Sequence, residues 1–284
     1  MPSLTVICPL NSYSGAERAL PSAYDAAMLL HAPLELFSAV EIPESAERRL
    51  EYLQNMASTT HEALRAGPST SVVVDTHAPR AIAARAASPN IVTVMATSTV
   101  PLMHTGYVGS AAERVARDAH NPVVLVGPHA KTRLGDVDRV VVPCDGSALS
   151  ERIQDEAVAW SRRLDVPLWF VTAISPEVQA RSGYSLASEA NYVRGVASRV
   201  HADWDVLHGS NPGKAIVDWA GNSLIAMTTH GRQGLSRLAF GSVATSITRW
   251  STAPVLVSNG GPGRNAQPDD ATRDASTART TSTQ

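Results

Sequence analysis

Residues 109–126 read GSAAERVARDAHNPVVLV, and residues 241–257 read GSVATSITRWSTAPVLV. Each opens on Gly-Ser, continues through helix-forming sequence, passes a proline and closes on a β-branched run. The two Gly-Ser pairs stand 132 positions apart. Working outward, LTVICP at Leu4–Pro9 matches RVVVP at Arg139–Pro143, and VVVDTHAPRAI at Val72–Ile82 matches DVLHGSNPGKAI at Asp205–Ile216. Three matched pairs in one order, at nearly constant offset, mark a tandem duplication. The domains expected are residues 1–127 and 138–258, joined by a polar connector at 128–137. The tail, 259–284, carries no Leu, Ile, Val, Met or aromatic residue. Such a segment buries too little surface to offset the entropy of ordering, so disorder is expected.

Within each repeat, short β-branched runs alternate with longer helical patterns. Strands are expected at Leu4–Pro9, Leu34–Val40, Ser71–Thr76, Ile91–Ala96 and Val123–Val126, then at Arg139–Pro143, Leu168–Ile174, Trp204–Leu207, Leu224–Thr228 and Val255–Val257. The runs are near-continuously apolar, as for strands covered on both faces. Ala16–Leu30, Ser45–Ala66 and Leu149–Leu164 suit crossover helices. The fold class is therefore α/β: two tandem, doubly wound, Rossmann-like parallel-sheet domains.

Composition narrows the function. The chain of 284 residues carries 24 Lys and Arg against 26 Asp and Glu, a net charge of −2. It has no excess of cations to neutralise phosphates, which argues against nucleic-acid and membrane partners. No apolar run approaches the roughly 18 residues that span a bilayer. The amino end lacks a signal-peptide pattern. Cys8 and Cys144 are the only cysteines, too few for a disulfide framework or a Cys₄ zinc site. A cytoplasmic location is expected.

In a doubly wound sheet, ligands bind beyond the carboxyl ends of the strands, where strand order reverses. In the second repeat the first strand ends in Pro143-Cys144-Asp145-Gly146-Ser147. Asp145 can accept hydrogen bonds from a ribose hydroxyl, or simply serve a turn or helix cap. The fourth strand ends in Met227-Thr228-Thr229-His230-Gly231. A loop with Arg232 and Arg237 follows, and Gly241-Ser242-Val243 opens a helix. Glycines admit close backbone approach, and a helix amino end offers N–H groups to an anion. Together these make a phosphate cradle.

His230 to Ile247, HGRQGLSRLAFGSVATSI, and Val140 to Ile153, VVVPCDGSALSERI, resemble the universal stress protein family. Its nucleotide-binding members carry G-x₂-G-x₉-G-[ST], which falls here on Thr228, Gly231, Gly241 and Ser242. The resemblance extends over both repeats. It implies two domains of the adenine-nucleotide alpha-hydrolase-like type that pack through their fifth strands as an internal pseudo-dimer; a homodimer and an unidentified protein partner are also open. It implies adenine and ribose contacts at Pro143, Cys144 and Asp145, and a base pocket at Ala173. Phosphate contacts fall at Thr228, Gly231, Arg232, Gly241, Ser242 and Val243. ATP, with or without magnesium, is the expected ligand, and a stress-response regulator the expected role. No positioned base or metal ligand marks an efficient hydrolase, so slow ATP hydrolysis is the most that is expected. The alternatives are a cyclic-nucleotide binder and a nucleotide-free scaffold.

Departures are uneven. In the second repeat only Thr228 replaces a motif glycine; its β-carbon narrows the approach or its hydroxyl replaces a backbone contact. In the first, Asn11 stands for the Asp, Ala96 and Thr99 for two glycines, and only Gly109 and Ser110 remain. Weak or absent nucleotide binding is expected there. Gly209–Lys214 misses the P-loop spacing, and Pro212 and Gly213 suit a helix start. Cys144 reads as a semi-buried residue whose neighbouring carboxylate opposes a thiolate. Trp160, Trp169, Trp204 and Trp219 read as core or interface.

Overall fold

The computed structural model describes residues 4–10, 15–59, 67–97, 110–119, 121–176, 186–229 and 240–259. The strands are β1 Thr5–Pro9, β2 Leu34–Val40, β3 Ser69–Val74, β4 Ile91–Ala96, β5 Val123–Val126, β6 Val140–Pro143, β7 Leu168–Ile174, β8 Asp203–His208, β9 Leu224–Thr228 and β10 Val255–Ser258. The helices are α1 Leu20–Leu29, α2 Ala46–Thr59, α3 Ala78–Ala86, α4 Ser110–Asp118, α5 Gln154–Leu164, α6 Leu186–Ser198, α7 Pro212–Ala220 and α8 Ser242–Trp250.

The strands form one sheet in the order β3-β2-β1-β4-β5-β10-β9-β6-β7-β8. Within each repeat every pairing is parallel. The chain winds from β1 to β3 in one direction and returns across β1 to β4, so strand order reverses between β1 and β4, and again between β6 and β9. Side chains alternate along each strand and supply two cores. Val6, Val94, Val142 and Phe170 face α1, α2, α5 and α6. Ile7, Met95, Val141 and Val171 face α3, α4, α7 and α8.

The repeats meet where β5 runs antiparallel to β10, with Val124 opposite Leu256 and Val123 opposite Val257. Val124 and Leu256 are 132 positions apart, the spacing of the Gly-Ser pairs. Each repeat thus presents the same strand to the other, the signature of an isologous contact. Val123, Val124, Leu125, Val255, Leu256 and Val257 are all at most 1 % exposed. Flanking positions obey the same relation. Asn259 Nδ2 donates to Arg117 O and Ala119 O, each at 3.0 Å, at the end of α4. Its counterpart, Gly127, lies so close to the end of α8 that a β-carbon would stand 2.5 Å from Thr248 O.

Two expectations need correction. The outer strands β3 and β8 are not covered on both faces: Val73, Val74 and Trp204 are 38 %, 50 % and 37 % exposed, because the sheet ends there. Trp204 is therefore a surface residue, whereas Trp160 is buried and Trp169 meets Trp219 edge to face. The connector is tied down on both sides. Arg133 clasps the buried Asp25 carboxylate of α1 through Nε, at 2.8 Å, and Nη2. Gly135 N donates to the same carboxylate at 2.8 Å, and Leu134 N to Ser22 Oγ at 3.1 Å. On the other side, Lys131 N and Thr132 N donate to Thr252 O, and His129 stacks on Trp250. Leu134, fully buried, anchors it. Residues 260–284 lie outside the described residues; Asn259, placed at the head of the tail, is held by the seam.

Candidate functional site

The second repeat's reversal point is built from the ends of β6 and β9. β6 runs out at Pro143, and Cys144 N continues the ladder to Val171 O at 2.8 Å. Gly146, at φ +80°, then turns the chain. A serine relay fixes that turn. Asp145 Oδ1 accepts from Ser147 N at 3.0 Å and from Ser147 Oγ at 2.6 Å. Ser147 Oγ accepts from Ser150 N, and Ser150 Oγ donates to Ser147 O at 2.9 Å. This is an Asx turn: the aspartate does serve the turn, and the turn in turn sets the carboxylate's direction at the strand end.

Behind the turn stands an anchor that the sequence reading did not single out. Glu151 accepts from Tyr192 Oη at 3.1 Å and from Arg199 Nη1 at 3.0 Å, tying the turn to α6. The first repeat has the same pair, Tyr52 Oη donating to Glu17. Glu17 and Glu151 are 134 positions apart, the spacing of Pro9 and Pro143, so the repeat itself carried the signal. The pair belongs to the fold and not to one site.

Cys144 is 4 % exposed, and its side chain faces the core. Burial first, then the Glu151 and Asp145 carboxylates, push its thiol up to about 12. Cys8 is pushed up to about 12 by burial alone. Neither thiol is ionised at neutral pH, so neither is a nucleophile. Ala173 lies partly exposed on β7, two residues past the partner of Pro143.

β9 ends at Thr228, 6 % exposed and paired with Ser258. Thr228 does not have a positive φ, so replacing a glycine there brings no backbone strain. Gly231 and Arg232 lie outside the described residues, as do His230 and Arg237. The chain is described again at Phe240, buried against the α8 side of the sheet. Gly241 N donates to Thr229 O at 3.0 Å, which returns the chain to the end of β9, and Gly241 caps α8. The first intrahelical bond runs from Thr245 N to Gly241 O. The amides of Ser242, Val243 and Ala244 precede it and have no acceptor within the helix. Ser242 and Val243 are exposed.

Gly241 itself is informative. Its φ is −71°, which any residue adopts, and a β-carbon would meet only Thr229 O among the described residues, at 3.9 Å. Among the described residues nothing demands glycine there. The donors present, backbone amides and a serine hydroxyl, suit phosphate oxygens. Among the described residues no group of three His, Cys, Asp or Glu could hold a metal ion.

Comparison with known proteins follows this division. The universal stress protein family model matches residues 136–259, which contain the Asp145 turn, β9 and α8. A universal stress protein of Methanocaldococcus jannaschii is 30% identical over 137 residues, covering 42% of this chain and 80% of that protein. The chain belongs to the universal stress protein family. Solved structures extend the fold to both repeats. A universal stress protein from Archaeoglobus fulgidus DSM 4304 covers 92% of this chain and 100% of its own, at a TM-score of 0.65 and 17% identity. The cytoplasmic domain of a prokaryotic cation chloride cotransporter likewise covers 92% and 98%, at 0.55 and 13%. One architecture thus serves a universal stress protein and a transporter domain, so function has to be argued from the site. No helix among the described residues is long and apolar enough to cross a membrane.

Proposed function

We infer that the second repeat binds an adenine nucleotide, ATP first, and that occupancy makes the chain a regulator in the stress response. The observation that carries this is the convergence at the β6–β9 reversal of two unlike ends: the oriented Asp145 carboxylate and the amino end of α8 behind Gly241. A carboxylate recognises ribose hydroxyls, and helix amides recognise phosphates. A nucleotide presents both, in that order. Pro143, Cys144 and Ala173 would then border the base, and Thr228, Gly231, Arg232, Gly241, Ser242 and Val243 the phosphates. Magnesium, if it accompanies ATP, would be held chiefly by the phosphates, given the donors available.

Thermal unfolding with ATP, ADP and cyclic AMP, each with and without magnesium, tests this. At about 100 times Kd, a ligand adds roughly 2.7 kcal/mol to the state it binds. A clear upward shift with ATP is expected. A larger shift with cyclic AMP would change the ligand and keep the site. No shift with any nucleotide would overturn the reading and leave a nucleotide-free scaffold.

A further inference from the structure

We propose that Arg18 is the resident occupant of the first repeat's crevice, a side chain of the protein standing where a ligand would otherwise sit. The two repeats differ at one matched carbonyl. Thr229 and Thr97 follow β9 and β4 at equivalent positions, and each continues the ladder in the same way: Thr229 N donates to Ser258 O and Thr97 N to Val126 O. In the second repeat the Thr229 carbonyl accepts from Gly241 N at 3.0 Å. In the first, the Thr97 carbonyl accepts from Arg18 Nη2 at 3.1 Å.

That bond runs from the turn after β1 to the residue after β4, across the point where strand order reverses. Arg18 lies in the short helix Ala16–Ala19, which corresponds to Ser150–Ile153 of the second repeat. The matching arginine, Arg152, is exposed. Two further features belong to the first repeat. Gly15 has φ +95°, and a β-carbon there would lie 2.2 Å from Arg18 Nη1. Its counterpart is Leu149, which has a helical φ of −73°. Gly15 thus both turns the chain and leaves room for the guanidinium to fold back. Arg18 Nε is buried and has no hydrogen-bond partner among the described residues. One hydrogen bond among them, to the Thr97 carbonyl, holds the group, so a separate guanidinium should replace it.

Amide exchange in the nucleotide-free protein tests this without reference to what the second repeat binds, so a failure of nucleotide binding would leave the readout intact. The reporters are Thr97 N–H and Leu10 N–H, which donate to Val126 O and Phe37 O on either side of the crevice. Arg18→Ala removes the donors together with the stem and leaves the space that a separate guanidinium needs. It should accelerate exchange at both amides on the order of tenfold by local opening, while amides in β9 and β10 keep their rates. Millimolar N-ethylguanidinium should restore protection in Arg18→Ala and leave the wild type unchanged. Wild-type rates in Arg18→Ala would overturn the proposal. So would acceleration that N-ethylguanidinium does not reverse, because the arginine would then be a strut and not an occupant.

Discussion

The two repeats share strand order, the two-core arrangement and a Glu–Tyr anchor, yet they treat the same carbonyl differently. After β9 it accepts an amide from the glycine that caps α8. After β4 it accepts a guanidinium from across the sheet. The difference teaches how duplication separates scaffold from site. The scaffold is maintained by buried apolar contacts, which both repeats keep. The site depends on a few positions at the strand ends, and these diverge without backbone strain: Thr228 and Ala96, both buried, close their strands at ordinary φ where the family motif has glycine.

The connector should be the most sensitive join between the repeats. Asp25→Ala removes the acceptor of Arg133 and Gly135 N together and leaves both donors unpaired beside a buried leucine. Urea unfolding should show a loss of about 2–3 kcal/mol, the range for hydrogen bonds to a charged group. A loss below about 0.5 kcal/mol, the size of an ordinary surface substitution, would show that the clasp does not join the repeats.

The flanks of the seam offer a smaller, asymmetric test. Gly127→Ala puts a β-carbon 2.5 Å from a backbone carbonyl, which has to move. The expected cost is about 1–2 kcal/mol, within the range for overpacking. At the matched position, Asn259→Gly should cost about 1 kcal/mol through loss of its bonds to the end of α4. Equal stabilities for both variants and the wild type would show that the pseudo-symmetric seam ends at β5 and β10.

Most of the architecture was legible because burial imposes it. Strands between two helical layers are near-continuously apolar, and β2, β4, β5, β7 and β9 match the runs to the residue. Val124 facing Leu256 follows from the same offset that relates the Gly-Ser pairs. The outer strands misled, because β-branched residues suit a sheet edge as well as its centre. In the site, Asp145 and Gly241 were legible as types and spacing. The bond of Arg18 to the Thr97 carbonyl was not: Arg18 and Arg152 are the same residue at the same repeat position, and sequence alone does not tell the part-buried arginine from the exposed one.

The measurement that bears most directly on the asymmetry is the number of ATP molecules bound per chain, by equilibrium dialysis, in the wild type and in a matched pair of glycine variants. Gly241→Glu places a carboxylate on the α8 amino end, and Gly109→Glu does the same at the equivalent position of the first repeat. The account predicts one ATP per chain, lost in Gly241→Glu with the fold retained and unchanged in Gly109→Glu. Two per chain, or one that survives Gly241→Glu and disappears in Gly109→Glu, would contradict it.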